Sequence, residues 1–274
     1  MSEGALSGKV ALVTGASRGI GAAIAERFAR SGATVVVTAR TVDPSASTLA
    51  GTIHETVERI TKSGGAAMAI AADLSKVSER ELLVAETVEK VGPVDILVNN
   101  AAVTYFIHVA EFGAKQFHLM FEVEVTAPFH LAQLVLPGMV EKREGWILNI
   151  SSGAARHPTF PPDPARHGGG AVYGMCKAAL ERFSTGLASE VYADNVAVNA
   201  LSPNRVVPTP GTVFHHLVTG DPVQIVEASE VMAEAALALC SVDPRSRTGL
   251  VAYSQDLLNE LGITVSPSGS SEVS

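Results

Sequence analysis

Residues Val10–Gly21 read VALVTGASRGIG. The opening residues are apolar or β-branched without alternation, the pattern of a strand buried on both faces. Three glycines follow, Gly15, Gly19 and Gly21, and a helical pattern runs from Ile20 to Arg30. Glycines in such a turn let backbone approach a ligand closely. The helix behind it offers unpaired N–H groups and the positive end of its dipole to a phosphate. The spacing is not the general G-x-G-x-x-G fingerprint, so the reading rests on the turn's place at the first strand–helix junction. Ser17, Arg18 and Ile20 fall inside it.

The same alternation continues outward. Further strands are expected at Thr34–Ala39, Met68–Asp73, Asp95–Ala101, Trp146–Ser151 and Val196–Leu201, with an edge strand at Gly249–Tyr253. Helices are expected near 48–62 and, behind a Ser78–Glu81 capping box, up to Val91. Another spans Ala114–Val140, bent or ended at Pro128 and Pro137. Two more cover Ala171–Val191 and Ser229–Cys240. Apolar strands separated by helices specify an α/β fold: a single doubly wound Rossmann-type domain, residues 1–265, with a parallel sheet of about seven strands and helices on both faces. Two long loops, 153–170 and 202–228, carry no pattern of their own, which in a compact domain marks function or mobility. The tail, 266–274, is expected to be disordered.

Acidic residues outnumber basic ones 28 to 20, a net charge of −8. That balance argues against nucleic acid held by a basic face. Cys176 and Cys240 lack C-x-x-C spacing, so neither a disulfide framework nor a zinc site is expected. His157 and His167 have no third ligand at metal spacing. The N-terminus lacks the basic and apolar regions of a secretory signal, and no run of about 18 apolar residues suits a bilayer span. The expected protein is cytoplasmic, without metal or membrane insertion.

TGASRGIG at Thr14–Gly21 resembles the TGxxxGxG turn of the short-chain dehydrogenase/reductase superfamily, and further segments fall in that family's order over about residues 8–255. Asn99-Asn100-Ala101-Ala102 resembles its NNAG, with Ala102 in place of Gly. Tyr173-Gly-Met-Cys-Lys177 matches YxxxK, and Asn199–Pro203 resembles the segment before the substrate loop, with Asn204 where Gly is usual. The resemblance implies a nicotinamide dinucleotide held by Gly15, Ser17, Arg18, Gly19, Ile20 and Gly21. Asp73 and Leu74 would lie near the adenine, Asn100 and Ala101 along the cofactor, and Val206 and Thr209 at the carboxamide. It also implies a homotetramer or dimer.

The second strand ends Val37-Thr38-Ala39-Arg40-Thr41. NAD-selective proteins place a carboxylate there for the ribose 2′-hydroxyl. Here a guanidinium stands instead, and Arg binds phosphate bidentately. Arg40, with Arg18 as a second candidate, therefore selects NADP(H) over NAD(H).

Tyr173 and Lys177 are four apart and share a helix face. A nearby ammonium favours a tyrosine's phenolate, so Tyr173 is expected to exchange a proton with a carbonyl or alcohol oxygen. By resemblance Lys177 also holds the nicotinamide ribose, and Ser152 hydrogen-bonds the substrate oxygen. Ser151, its neighbour, points to the other side. Cys176 does not share the Lys177 face and reads as a small buried side chain.

Two departures stand out. Glu124 occupies the position of an Asn that in the family supports a proton-relay water through the Lys. A carboxylate there can hold a water, pair with Lys177, or face a neighbouring subunit. In addition, Tyr173 follows Ser152 by 21 positions, a longer interval than is usual, and the extra residues must lie beside the site. The expected activity is hydride transfer between NADP(H) and a ketone, aldehyde or secondary alcohol, with an apolar substrate because the loop after Val206 carries Val207, Val213, Phe214, Leu217 and Val218. The alternatives are an oxidation-directed hydroxy-lipid or hydroxysteroid dehydrogenase, and a cofactor-binding interaction protein with weak chemistry.

Overall fold

The computed structural model describes residues 4–46, 48–161, 168–218 and 226–265. The tail, and the segments 162–167 and 219–225 of the two long loops, lie outside them. Among the described residues seven strands form one sheet: β1 (Val10–Thr14), β2 (Thr34–Ala39), β3 (Ala66–Ala71), β4 (Ile96–Asn99), β5 (Gly145–Ile150), β6 (Val196–Ser202) and β7 (Val251–Tyr253). Their order is β3-β2-β1-β4-β5-β6-β7, and every neighbouring pair is parallel. β1 sits between β2 and β4, with Leu12 opposite both Val36 and Leu97. The doubly wound α/β sheet read from the sequence is therefore present.

Successive strand residues face opposite layers. Ala11, Val13, Val35 and Val37 pack with Ile24 and Phe28 of α1 (Gly19–Arg30), Met232 and Leu237 of α8 (Ser229–Cys240), and Leu258 of α9 (Ser254–Glu260). Leu12, Val36, Leu97 and Val198 face the other layer. There they meet Leu83 of α3 (Val77–Lys90), Leu131 and Val135 of α5 (Ala127–Lys142), and Leu187 of α6 (Ala171–Glu190). Continuous apolar strands are what a sheet covered on both sides demands.

Several boundaries differ from the sequence reading. α2 runs Ile53–Lys62, not from near residue 48, because Thr52 and Glu55 close a capping box: the Glu55 N–H donates to Thr52 Oγ1 at 3.1 Å and the Thr52 N–H to Glu55 Oε2 at 3.0 Å. The Ser78–Glu81 box is absent. α3 starts at Val77 with Lys76 at its cap, so Ser78 is already inside the helix, and Glu79 instead accepts the Asp73 N–H at 2.6 Å.

The prolines do not end the long helix. Helix α4 (Ala114–Phe121) passes through one π-turn, Glu122–Thr126, into α5, which contains both Pro128 and Pro137. Pro128 has no N–H for the Glu124 carbonyl one turn earlier, and the backbone widens just before it. Arg80, buried on α3, pairs with Glu122 at 2.8 Å and ties the turn down. The stretch Ala114–Lys142, 29 residues, is long and apolar enough to cross a membrane by length and composition alone, contrary to the sequence reading. Its inward face, Leu131, Ala132, Val135 and Met139, is fully used in the core.

A buried polar chain ties sheet to helix beneath the site. Asn99 Nδ2 donates to Asn149 Oδ1, and Asn149 Nδ2 to Ser184 Oγ, both at 2.8 Å. Ser184 Oγ donates to the Leu180 carbonyl at 2.7 Å. Asn149→Ala breaks the middle of this chain and leaves a buried amide without its acceptor. A loss of about 1–3 kcal/mol is expected, read as a lower urea midpoint at unchanged slope.

Candidate active site

The sheet ends set the site. β1, β4 and β5 all finish just before chemistry-bearing residues: Gly15–Arg18, Asn100–Ala101 and Ser151–Ser152. Around the first two lies a cavity of about 330 Å³, walled by the glycine turn, Ala39–Thr41, Ala72–Leu74, Asn100–Val103 and Thr209. Gly15 and Gly19 have φ of +62° and +57°, a region costly to other residues, and a Cβ on Gly19 would stand 2.9 Å from Thr209 Cγ2. Gly21 is buried and packs against Asn100 and the Gly15 carbonyl.

Asn100 braces this turn. Its Nδ2 donates to the carbonyls of Thr14 and Gly15 at 2.9 and 3.1 Å, and its N–H to Thr14 Oγ1 at 2.9 Å. Arg18 is likewise engaged: Nη2 reaches Thr41 Oγ1 at 3.1 Å and the Gly51 carbonyl at 2.7 Å. Arg40 is exposed on the wall beside Asp73. Asp73 lies two residues beyond β3 instead of ending it, because ladder pairing stops at Ala71. Burial works to raise its pKa, but hydrogen bonds from Ser75 and the charges of Arg40 and Lys76 hold it below the usual range. Ile20 and Leu74 complete the wall. Val206 is not on it; its carbonyl accepts the Glu227 N–H at 3.0 Å.

Sequence reasoning missed Thr41, Leu49 and Val103, which also line the cavity. A signal for the loop that carries Leu49 was Gly51, whose φ is +105° and whose Cβ would lie 2.6 Å from the Ser17 carbonyl.

The second cluster stands at the end of β5. Ser151 turns away, donating to Glu181 at 2.7 Å, while the Ser152 hydroxyl meets that of Tyr173. Lys177, on the next turn of α6, is buried. Its Nζ donates to the Ile150 carbonyl at 2.8 Å, lies 2.7 Å from Glu124 Oε2 and is 5.7 Å from the Tyr173 ring. Glu124 thus faces Lys177 from the π-turn. Burial pushes Glu124 upward, opposed by Lys177 and the Val103 N–H. Burial works to lower Lys177, but Glu124 and Tyr173 together raise it. Cys176 is fully buried, and its thiol is pushed up to about 11 by burial.

Beside Tyr173 sits an aromatic group. Phe106 meets the Tyr173 ring edge-on at 5.9 Å and His215 at 5.4 Å, and Phe214, the last residue of α7 (Pro210–Phe214), meets His215 at 5.2 Å. The end of the 153–170 loop packs here too: a Cβ on Gly169 would stand 2.6 Å from the Ile107 nitrogen. Arg156, near the start of that loop, stacks over the Tyr253 ring at 3.8 Å.

The short chain dehydrogenase family profile matches residues 9–216. The chain belongs to the short-chain dehydrogenase/reductase family, and it shares that family's oxidoreductase ancestry. It is 32% identical over 262 residues to hydroxysteroid dehydrogenase-like protein 2 of Danio rerio, covering 96% of this chain and 60% of the relative. The chain thus spans about 60% of the length of that relative and of the Xenopus tropicalis protein of the same name. An uncharacterized oxidoreductase of Methylorubrum extorquens is 39% identical over 207 residues, 76% of each chain. Among solved structures, L-sorbose reductase from Gluconobacter frateurii, complexed with NADPH and L-sorbose, has a TM-score of 0.78 at 30% identity, over 92% of this chain and 97% of that one. A metagenomic short-chain oxidoreductase in complex with NADP has 0.74 at 27%, over 96% and 100%.

The tightness of the glycine turn yields a direct test. A Cβ at Gly21 would lie 2.3 Å from Asn100 Nδ2 and 2.6 Å from the Gly15 carbonyl oxygen. Gly21→Ala should cost about 1–3 kcal/mol through overpacking, measured by chemical denaturation; unchanged stability would mean the turn is looser than described.

Proposed function

We propose that this chain is an NADP(H)-dependent oxidoreductase acting on a ketone or aldehyde, or on a secondary alcohol in reverse, with Tyr173, Lys177 and Ser152 as its catalytic residues. The observation that carries the reading is the Ser152–Tyr173–Lys177 cluster at the carboxyl end of β5, where open α/β sheets present ligands. It stands next to a glycine-walled cavity in which added Cβ atoms would clash. The solved relatives described above hold NADP or NADPH.

The lining of the cavity supports a dinucleotide. Gly15, Ser17, Gly19 and Ile20 line a strand–helix turn suited to a pyrophosphate. Asp73, Leu74, Ala101 and Thr209 line the same cavity, which supports the first two at the adenine end and the last two at the nicotinamide end. Asn100 and Gly21 act by bracing the turn. Arg40, exposed at the wall with no carboxylate at the end of β2, supports a 2′-phosphate; Arg18 instead spans to Thr41 and Gly51.

When bound, the nicotinamide ring supplies or accepts the hydride. The Tyr173 hydroxyl gives its proton to the carbonyl oxygen during reduction, or takes one from the alcohol during oxidation. The Ser152 hydroxyl donates a hydrogen bond to that oxygen as charge develops. Lys177 would hold the nicotinamide ribose hydroxyls, as the family resemblance implies. Phe106, Phe214 and His215 around Tyr173 support an apolar substrate, and burial lowers the His215 pKa toward the neutral ring. The dehydrogenase names of the vertebrate relatives favour a hydroxy-lipid or hydroxysteroid as the second reading. Assembly as a dimer or tetramer is supported by the exposed apolar side chains Leu82 and Val88 of α3, Phe129 of α5 and Met175 of α6.

Tyr173→Phe removes the transferable proton and keeps the ring. Turnover in an NADPH-coupled ketone screen should fall by roughly 100-fold or more with cofactor binding retained; parental turnover would reject the assignment. Arg40→Glu should weaken NADPH far more than NADH in a fluorescence titration. Equal affinity for the two cofactors in the parent protein would defeat the 2′-phosphate argument.

A further inference from the structure

Glu124 and Lys177 are both buried, and their charged atoms lie 2.7 Å apart. The π-turn brings this carboxylate to the lysine, and the Arg80–Glu122 pair fixes that turn to α3. Among the described residues, the following polar and titratable groups face the pair. From α6 come Tyr173 and Cys176, from the segment after β4 the Val103 N–H, and from β5 the Ile150 carbonyl, with Ser152 beyond on Tyr173. Among these, no second cation accompanies Lys177.

We propose that Glu124 is a positioning residue that acts through Lys177: by balancing the ammonium charge it keeps Tyr173 as the phenol, the form that donates a proton to a carbonyl. The inference rests on the catalytic reading of Tyr173. An ammonium near a tyrosine ordinarily favours the phenolate. Here the ammonium's field is partly offset at its source, because the Glu124 carboxylate lies against it and opposes, at Tyr173, the larger lowering by Lys177. The direction at Tyr173 agrees. Burial raises its pKa, Lys177 lowers it, Glu124 raises it again, and the net result is upward. A raised value sustains the proton donor for reduction to higher pH and demands more alkaline conditions for the base needed in oxidation.

The test is the pH profile of the full chain in both directions, for the parent, Glu124→Gln and Glu124→Asp. Glu124→Gln retains size and hydrogen bonding but removes the charge. It should move the alkaline limb of reduction and the acid limb of oxidation together to lower pH, by about one unit or more. Glu124→Asp, which retains the charge, should hold both limbs near the parent. Unmoved limbs in a folded Glu124→Gln protein, or limbs moving to higher pH, overturn the proposal. Where Glu124→Gln does not fold, Glu124→Asn, which removes the same charge, takes its place. Ring-carbon NMR of labelled tyrosine, assigned against Tyr173→Phe and recorded without cofactor, should show Tyr173 ionising at higher pH in the parent than in the charge-removed variant; ionisation at the same or lower pH in the parent overturns the proposal. This titration needs no turnover. Parental turnover in Tyr173→Phe would reject the catalytic reading separately.

Discussion

All seven strands run the same way, and that constraint organises the rest of the molecule. In a parallel sheet every carboxyl end opens on one edge, and a crevice forms where the strand order reverses. Here the chain winds outward from β1 to β3, then returns to β4 on the other side of β1. The glycine turn after β1 and Asn100 after β4 therefore face each other, and the Asn100 amide joins them through two carbonyls. β5 adds Ser152 on the same edge. Residues far apart in sequence become neighbours because each sits one or two positions past a strand end.

The site also carries a buried charge, whose energetics set its limits. Lys177 and Glu124 give up water together, which is tolerable only because they meet at hydrogen-bond distance and because the Ile150 carbonyl accepts from the ammonium. Removing one member of a buried pair typically costs about 3–5 kcal/mol. The pair is thus a structural commitment as well as an electrostatic one, and the Asn99–Asn149–Ser184 chain holds the same helix to the sheet from below.

Much of the fold was legible because buried parallel strands are continuous apolar runs, as at Thr34–Ala39; that strand and the helix Ser229–Cys240 match the structure residue for residue. Helix starts were less legible. Thr52-x-x-Glu55 and Ser78-x-x-Glu81 present the same pattern, yet only the first caps a helix, since Lys76 occupies the cap of α3 and Glu79 is drawn to Asp73. The π-turn is a consequence of Pro128 within a helix that packing sustains, which local sequence rules read as a bend or an end. At the site, the motif residues Gly15, Gly19, Tyr173 and Lys177 were visible at their spacings. Pairing of Glu124 with Lys177 was one of three alternatives there, and the choice among them was not legible, because a neighbouring strand, helix and π-turn must all be in place before the carboxylate meets Lys177. The Leu49–Gly51 wall was missed for a similar reason: it depends on Arg18 reaching across to the Gly51 carbonyl.

The central claim is that this edge of the sheet performs hydride transfer and does not merely bind a dinucleotide. It is tested most directly by following the hydride. NADPH carrying deuterium at the transferable position of its nicotinamide is incubated with the protein and a panel of apolar ketones, and the products are read by mass spectrometry. The account predicts an alcohol with deuterium on the former carbonyl carbon, formed in step with loss of NADPH. Tight binding of NADPH with no labelled alcohol from any ketone in the panel would contradict it.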